Sequence, residues 1–435
     1  MPTVQPFRAL RYAPDVVGDL ATVVAPPYDV IDPDERRRLA ARDPRNVVRI
    51  DLPVAEPGDE PDDRYRRAAR QLSSWRTDGT LHRDPRPSLY PYEQTYRVPG
   101  TDVERVRRGV FARVRLEPFG PGSGIRPHER TLAEPKEDRY RLLRATGVNT
   151  SPVVGLYEDA SKRVVRWLEG LADPPIVEVV DDAGVAHRLW RVEAEVEGVA
   201  DVCAAIGSGP ITLADGHHRY ETALRYRDER MTGAMPDDDP GWASILMLLL
   251  EPVAGTLTVL PTHRVAIDVG EAGVGELRTR LGELFEVEST PDRNGLEAAF
   301  RGAALDAGGA GRFGLWTRSG GAILRARRGA FAPFLPAGGA ALRRLDVTLA
   351  GVALERLAGI DPAAVETGRL RYTKDPGEAI GWVEARSDGA DVALLLEPTP
   401  AAEIVAVAAD GDVMPQKSTY IYPKALTGLV INPLE

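Results

Sequence analysis

The stretch that most constrains this chain is Ala214 to Tyr220, ADGHHRY, where polar and charged side chains crowd between two segments of regular pattern. Ahead of it, Ile206 to Leu213 (IGSGPITL) closes on a short β-prone apolar run; after it, Tyr220, Ala223, Leu224 and Met231 fall at helical spacing. The pattern predicts strand, tight turn, helix. Gly216 allows a sharp turn and the close approach of a ligand, and the next residues stand at a helix N-terminus, whose free N–H groups favour an anion. His217, His218 and Arg219 read as cationic donors to such an anion, with Asp215 beside them. The plainer alternative is a histidine pair that caps the helix and pairs with Asp215. Metal binding by the two histidines alone is disfavoured, because adjacent helical positions face apart and no HExxH or CxxC pattern occurs.

Composition narrows the partners. At 435 residues the chain is long enough for two or three domains, and its net charge of −10 argues against a general nucleic-acid or membrane surface. No apolar run approaches the roughly 18 residues of a membrane span, and the opening MPTVQPFRAL lacks the apolar core of a signal peptide. A cytoplasmic location is expected. Cys203 is the single cysteine, which excludes an internal disulfide and a cysteine-based metal site.

Of 55 basic residues only five are lysines: Lys136, Lys162, Lys374, Lys417 and Lys424. Where a generic positive charge suffices this chain uses Arg, so a retained lysine marks a place that needs a compact ammonium on a flexible stem. Lys162, in the polar run EDASKR, reads as chance survival. Lys417 and Lys424 share one polar and aromatic segment, MPQKSTYIYPKALTGL, with Ser418, Thr419, Tyr420, Tyr422 and Thr427, a set suited to phosphate or ring binding.

Other segments add candidates. The Pro26-Pro27 pair of APPYDVI presents Tyr28 and Asp29 at a rigid corner. The glycine loop FGPGSG leads into IRPHERTLAEPKEDRYRLLR, where His128, Glu129, Arg130 and Thr131 precede an amphipathic helix. His263 and Arg264 end the strand-like TLTVLPTHR. Ser88–Val98 and Gly109–Leu116 alternate as an antiparallel ribbon, Asn46–Leu52 reads as a strand, and Ala243–Leu250 is a continuous apolar run fit for a central strand. From Glu271 onward the expected order is helix 274–285, helix 295–304, two strands, helix 346–358, a short strand, helix 377–386, strand 392–396 and helix 401–409. Such alternation indicates an α/β (α+β) fold with helices packed on a mixed sheet. Lys417-Ser418 imitates the end of a P-loop without its glycine or leading strand, and Gly207, Gly209 and Thr212 fail the dinucleotide fingerprint.

Taken together, APPYDVI, RPHERTLAEPKEDRYRLLR, LADGHHRYETAL, LPTHR and MPQKSTYIYPKALTGL resemble the bacterial family catalogued as domain of unknown function 1015, essentially end to end. The central motif is in turn similar to the DGHHR signature of the ParB/sulfiredoxin-like superfamily, which includes chromosome-partition ParB proteins and free-serine kinases that use ADP or ATP. The resemblance implies a ParB/sulfiredoxin-like core with large insertions over residues 1–270. It also implies a mixed-sheet α/β unit over 271–435, whose segment 414–429 returns to the active site.

The function so implied is a nucleotide-dependent phosphotransferase acting on a small hydroxyl metabolite, free serine first, with magnesium and ATP or ADP. The alternative is a ParB-like nucleotide-binding regulatory or DNA-associated protein; the acidic charge and the lack of a recognisable helix-turn-helix count against it. Under the kinase reading Asp215 and His218 are catalytic together with Glu129, and Asp215 also holds the metal. Glu129 is chosen from this chain's second polar cluster and not from a matched kinase position, with Asp29 as the alternative base. His217, Arg219, His128, Arg130, His263, Arg264, Lys417, Ser418, Thr419 and Lys424 bind nucleotide or phosphate, and Tyr28 and Asp29 border the substrate.

Overall fold

The computed structural model describes residues 1–129, 133–231, 233, 240–253, 255–301 and 311–435. Arg130 and Thr131, most of the acidic loop after residue 231 and the end of the expected helix 295–304 lie outside the described residues.

A mixed α/β fold is built on two large sheets. The first, of ten strands, runs in the order Ile125–Arg126, Ile211–Asp215, Val153–Leu156, Ser244–Leu250, Glu104–Arg115, Ser88–Arg97, Ala186–Leu189 and Val177–Val180, with two short strands paired off this path. Ser244–Leu250 is buried along its whole length and pairs parallel to Val153–Leu156 and antiparallel to Glu104–Arg115, as its unbroken apolar run requires. The ribbon pairs Ser88–Arg97 with Glu104–Arg115, placing Gln94 opposite Arg107. The second sheet, of six strands, is ordered Phe285–Ser289, Gly320–Ala326, Arg312–Thr317, Ala390–Leu396, His263–Ile267 and Leu370–Thr373. A two-stranded ribbon joins Thr258–Leu260 to Tyr420–Tyr422, and so carries the C-terminal segment back to the first sheet.

Two elements differ from the sequence expectation for local reasons. Residues 46–52 form a helical turn, Val48–Asp51, and not a strand. The buried Asn46 side chain accepts from the Val48 N–H at 2.9 Å and donates to the Thr22 and Val24 carbonyls at 2.8 and 3.1 Å, turning the backbone where apolar alternation suggested extension. The helix Gly270–Arg280 stops short of Phe285, which starts the edge strand Phe285–Ser289; only Phe285 of that strand is buried, so it carries little apolar pattern. Among the described residues no helix is long and apolar enough to cross a membrane.

Candidate functional site

Six segments distant in sequence meet at the end of the Ile211–Asp215 strand and enclose a cavity of about 540 Å³. The strand is buried up to Ala214 and its pairing with Val153–Leu156 slips between Leu213 and Asp215, an irregularity that aims Asp215 out of the ladder. Gly216 follows at φ 85° and is the N-cap of the helix His217–Arg230, with no side chain capping the first turn. A Cβ here would lie 3.0 Å from Arg219 Nε, so glycine serves both the left-handed turn and the fold-back of that arginine.

Both oxygens of Asp215 are engaged by cations. Lys424 Nζ donates to Oδ1 at 2.5 Å and Arg219 Nη2 to Oδ2 at 2.8 Å. Burial alone would raise this carboxyl; Lys424 and Arg219 outweigh it and hold it well below the usual carboxylate range. Arg219 also donates to Ser151 Oγ at 3.0 Å and to the Pro152 carbonyl. It therefore organises Asp215 and the Ser151–Pro152 backbone while itself lining the cavity.

The histidines are corrected. His128 is buried; its Nδ1 donates to the Leu213 carbonyl, and its Nε2 accepts from the Thr419 hydroxyl at 2.9 Å. Burial lowers its pKa to about 4. The His128 N–H donates to His217 Nε2 at 3.2 Å, and the two rings lie 4.7 Å apart edge to face. Burial and the neighbouring His128 push His217 well down as well. Both imidazoles are thus neutral members of a hydrogen-bonded wall, not cations. His218, at the helix's first turn, lines the cavity and is lowered by burial against the opposing pull of Glu221.

Glu129 faces this wall. Its Oε1 accepts from the Lys417 N–H at 3.0 Å, and burial pushes its pKa up to about 7 although Lys417 opposes the shift. Lys417 takes a left-handed conformation, φ 55°, a costly one for a residue with a Cβ, and thereby brings its N–H to the carboxylate. The ammonium groups of Lys374 and Lys424 lie 4.3 and 4.5 Å from the Tyr420 ring centroid. Burial, then Lys417 and Lys424, depress Lys374. Neither Lys374 nor Lys417 has a carboxylate partner for its ammonium among the described residues. Tyr28, under the Arg139 guanidinium at 4.3 Å, and the exposed Asp29 close the opposite wall.

Three expected site residues lie elsewhere. His263 is fully buried within the six-stranded sheet and accepts from the Leu396 N–H at 3.1 Å, with its pKa lowered to about 3 by burial. Arg264 donates to the Thr262 carbonyl at 2.7 Å behind Tyr372, and burial lowers it to about 10. The Ser418 hydroxyl turns to the Pro415 carbonyl at 2.5 Å. Arg130 is outside the described residues. Lys374 and Tyr372, which line the cavity, were not singled out from the sequence, although the scarcity of lysine marked Lys374.

The donor set bears on the magnesium expectation. With both oxygens of Asp215 held by cations, that residue does not fit a metal ligand, and no group of three or more His, Cys, Asp or Glu among the described residues could hold an ion. Asp29 has no ion-pair partner among them, and fits a nucleotide-borne magnesium that keeps its waters and takes one carboxylate.

No curated protein matches the sequence. Among solved structures, a free serine kinase in complex with AMP aligns at TM-score 0.36 and 15% identity, covering 75% of this chain and 90% of that one. A conserved hypothetical protein from Pyrococcus furiosus aligns at 0.34 and 14%, covering 74% and 93%. SbnI with a C-terminal truncation, from Staphylococcus aureus, aligns at 0.35 and 12%, covering 72% and 84%. Likenesses of this size carry no argument about chemistry. A family profile described as protein of unknown function (DUF1015) matches residues 4–348, so that Lys374, Lys417 and Lys424 fall beyond the matched span. On that match, which takes in most of the chain and the whole ADGHHRY turn, the protein belongs to the DUF1015 family.

Proposed function

We propose that this protein is a nucleotide-dependent phosphotransferase whose acceptor is a small hydroxyl metabolite, with free serine as the first candidate. The observation that carries the reading is Glu129: a carboxylate with a pKa of about 7, sharing one cavity with Lys374, Lys417, Lys424 and the uncapped start of a helix. Phosphoryl transfer needs cations on the moving charge and a group to take the acceptor's proton; a base serves best when its pKa lies near the working pH.

In this scheme Glu129 accepts the acceptor's hydroxyl proton while that oxygen bonds to the terminal phosphorus of ATP or ADP and the bond to the leaving nucleotide breaks. Lys374 and Lys417 neutralise the donor phosphates. Lys424, held by Asp215, adds a third charge, and His218 lines the same wall. His128 and His217 keep the wall neutral and in register, through Thr419 on one side and the Leu213 carbonyl on the other. Asp29 would hold the magnesium, which would screen the phosphate oxygens, and Tyr28 borders the acceptor.

Incubation with ATP or ADP, magnesium and a mixed amino-acid pool, followed by mass spectrometry, tests the reading. Wild type gives a phosphorylated product and Glu129→Gln does not. A wild type that phosphorylates nothing with any nucleotide sinks the proposal.

A further inference from the structure

Arg107 lies in the Glu104–Arg115 strand, buried at 3% exposure, and no carboxylate is paired with it among the described residues. Burying a guanidinium without a counter-ion is costly, and an apolar residue on that strand would avoid the cost. What the arginine does there is specific. Its Nε donates to Gln94 Oε1 at 3.1 Å and its Nη1 to the Tyr422 carbonyl at 3.1 Å, while Nη2 donates to both Gln94 Oε1 and the Pro423 carbonyl. Gln94, its cross-strand partner, is fully buried and donates through Nε2 to the Lys424 carbonyl at 3.0 Å. One Arg–Gln pair therefore holds three consecutive carbonyls, 422 to 424, and the third belongs to the lysine that meets Asp215. The charge of Asp215 also reaches Arg107.

We propose that Arg107 and Gln94 are positioning residues of the cavity. They fix the 422–424 backbone so that Lys424 meets Asp215, and Arg107 places a second, solvent-shielded positive charge behind Lys424 that helps hold an oligophosphate. The inference rests on the phosphotransferase reading for the chemistry of its ligand, though not for the geometry of the clamp. A clamp is needed because the segment between Gly411 and Tyr420 is irregular, and Lys424 hangs beyond the three-residue strand that follows it. An ammonium on a mobile backbone would lose most of its advantage to ordering entropy.

The test is calorimetric binding of inorganic pyrophosphate to the full chain. Gln94→Leu and Arg107→Met are expected to weaken pyrophosphate about tenfold or more, the loss of a charge-assisted contact. Arg107→Lys keeps the charge without the fork and falls between. The control is Arg227→Met, a buried arginine at 6% exposure that holds the Leu116 carbonyl at 2.7 Å and pairs with Asp228; it lowers the melting temperature and leaves pyrophosphate affinity unchanged. If Gln94→Leu and Arg107→Lys bind pyrophosphate as wild type does, the clamp is overturned and the phosphotransferase reading stands. If Gln94→Leu and Arg107→Met weaken pyrophosphate but wild type phosphorylates nothing, that reading fails and the clamp stands. A wild type that does not bind pyrophosphate overturns the clamp and leaves the phosphotransferase reading to its turnover test.

Discussion

Replacing Glu129 by Gln should make the protein more stable at alkaline pH while removing its activity. Burial raises Glu129 from 4.5 to about 7, so between those values the folded state binds more protons than the unfolded one. Stability then falls as pH rises through that window: the favourable contribution is complete below about pH 4.5 and gone above about pH 7. At about 1.4 kcal/mol per unit, the cost of ionising Glu129 in the cavity reaches about 3 kcal/mol, an upper value because the side chain keeps 20% of its surface exposed. Gln has the same shape, keeps an oxygen to accept from the Lys417 N–H, and never ionises. With an unfolding entropy of about 0.9 kcal/mol/K for 435 residues, the gain is about 3 °C in melting temperature. Scanning calorimetry of the two proteins near pH 4 and near pH 8 reads it. The difference should be close to zero at the lower pH and about 3 °C in favour of Glu129→Gln at the higher. A difference that does not change with pH, or a less stable variant at the higher pH, refutes the placement of a raised carboxyl in this cavity.

Lys374→Ala should weaken ADP binding about tenfold with little change in melting temperature, since the ammonium lies over the Tyr420 ring and has no carboxylate partner among the described residues; calorimetric affinity and a melt check both halves. Lys417→Arg should also weaken ADP although charge is kept, because a planar fork replaces a compact ammonium; unchanged affinity returns Lys417 to chance retention. Asp215→Asn leaves Lys424 and Arg219 buried without their carboxylate and should cost about 3 kcal/mol or more of stability, measured by denaturant unfolding. As the folded-state pKa of Asp215 is depressed, the wild-type advantage should disappear as pH falls below the ordinary carboxylate range. Asp29→Asn should raise the magnesium concentration needed for half-maximal turnover with no change in the melting temperature of the free protein, as Asp29 is exposed and makes no ion pair among the described residues.

The strand, turn and helix around Gly216 were legible because a β-prone run, a glycine and a helical period follow one another within a few residues. The roles of the imidazoles were not legible. Whether a histidine is a cation depends on what surrounds it, and His128 comes from a segment 89 residues away from His217 to bury both. Composition pointed to Lys417 and Lys424 through the scarcity of lysine, yet Lys374 stands alone among residues of no special pattern, and only folding brings it over Tyr420. His263 and Arg264 looked polar enough for a pocket; the six-stranded sheet absorbs them, since the pairing of His263–Ile267 with both Leu370–Thr373 and Ala390–Leu396 leaves that strand no open edge. Arg107 and Gln94 gave no signal in sequence, being ordinary members of alternating strands whose partners are backbone carbonyls more than 300 residues away.

The central claim is that Glu129 takes the acceptor's proton beside a cluster of lysines. It is tested most directly by the initial rate of serine phosphorylation, with saturating magnesium nucleotide, as a function of pH in wild type and Glu129→Gln. The wild-type rate should climb about tenfold per unit at low pH and level off above about 7, where Glu129 is ionised, and Glu129→Gln should fall by a factor of about 10² to 10⁴ and lose that inflection. A wild-type profile flat across pH 7, or a Glu129→Gln protein that keeps both the rate and the inflection, contradicts it.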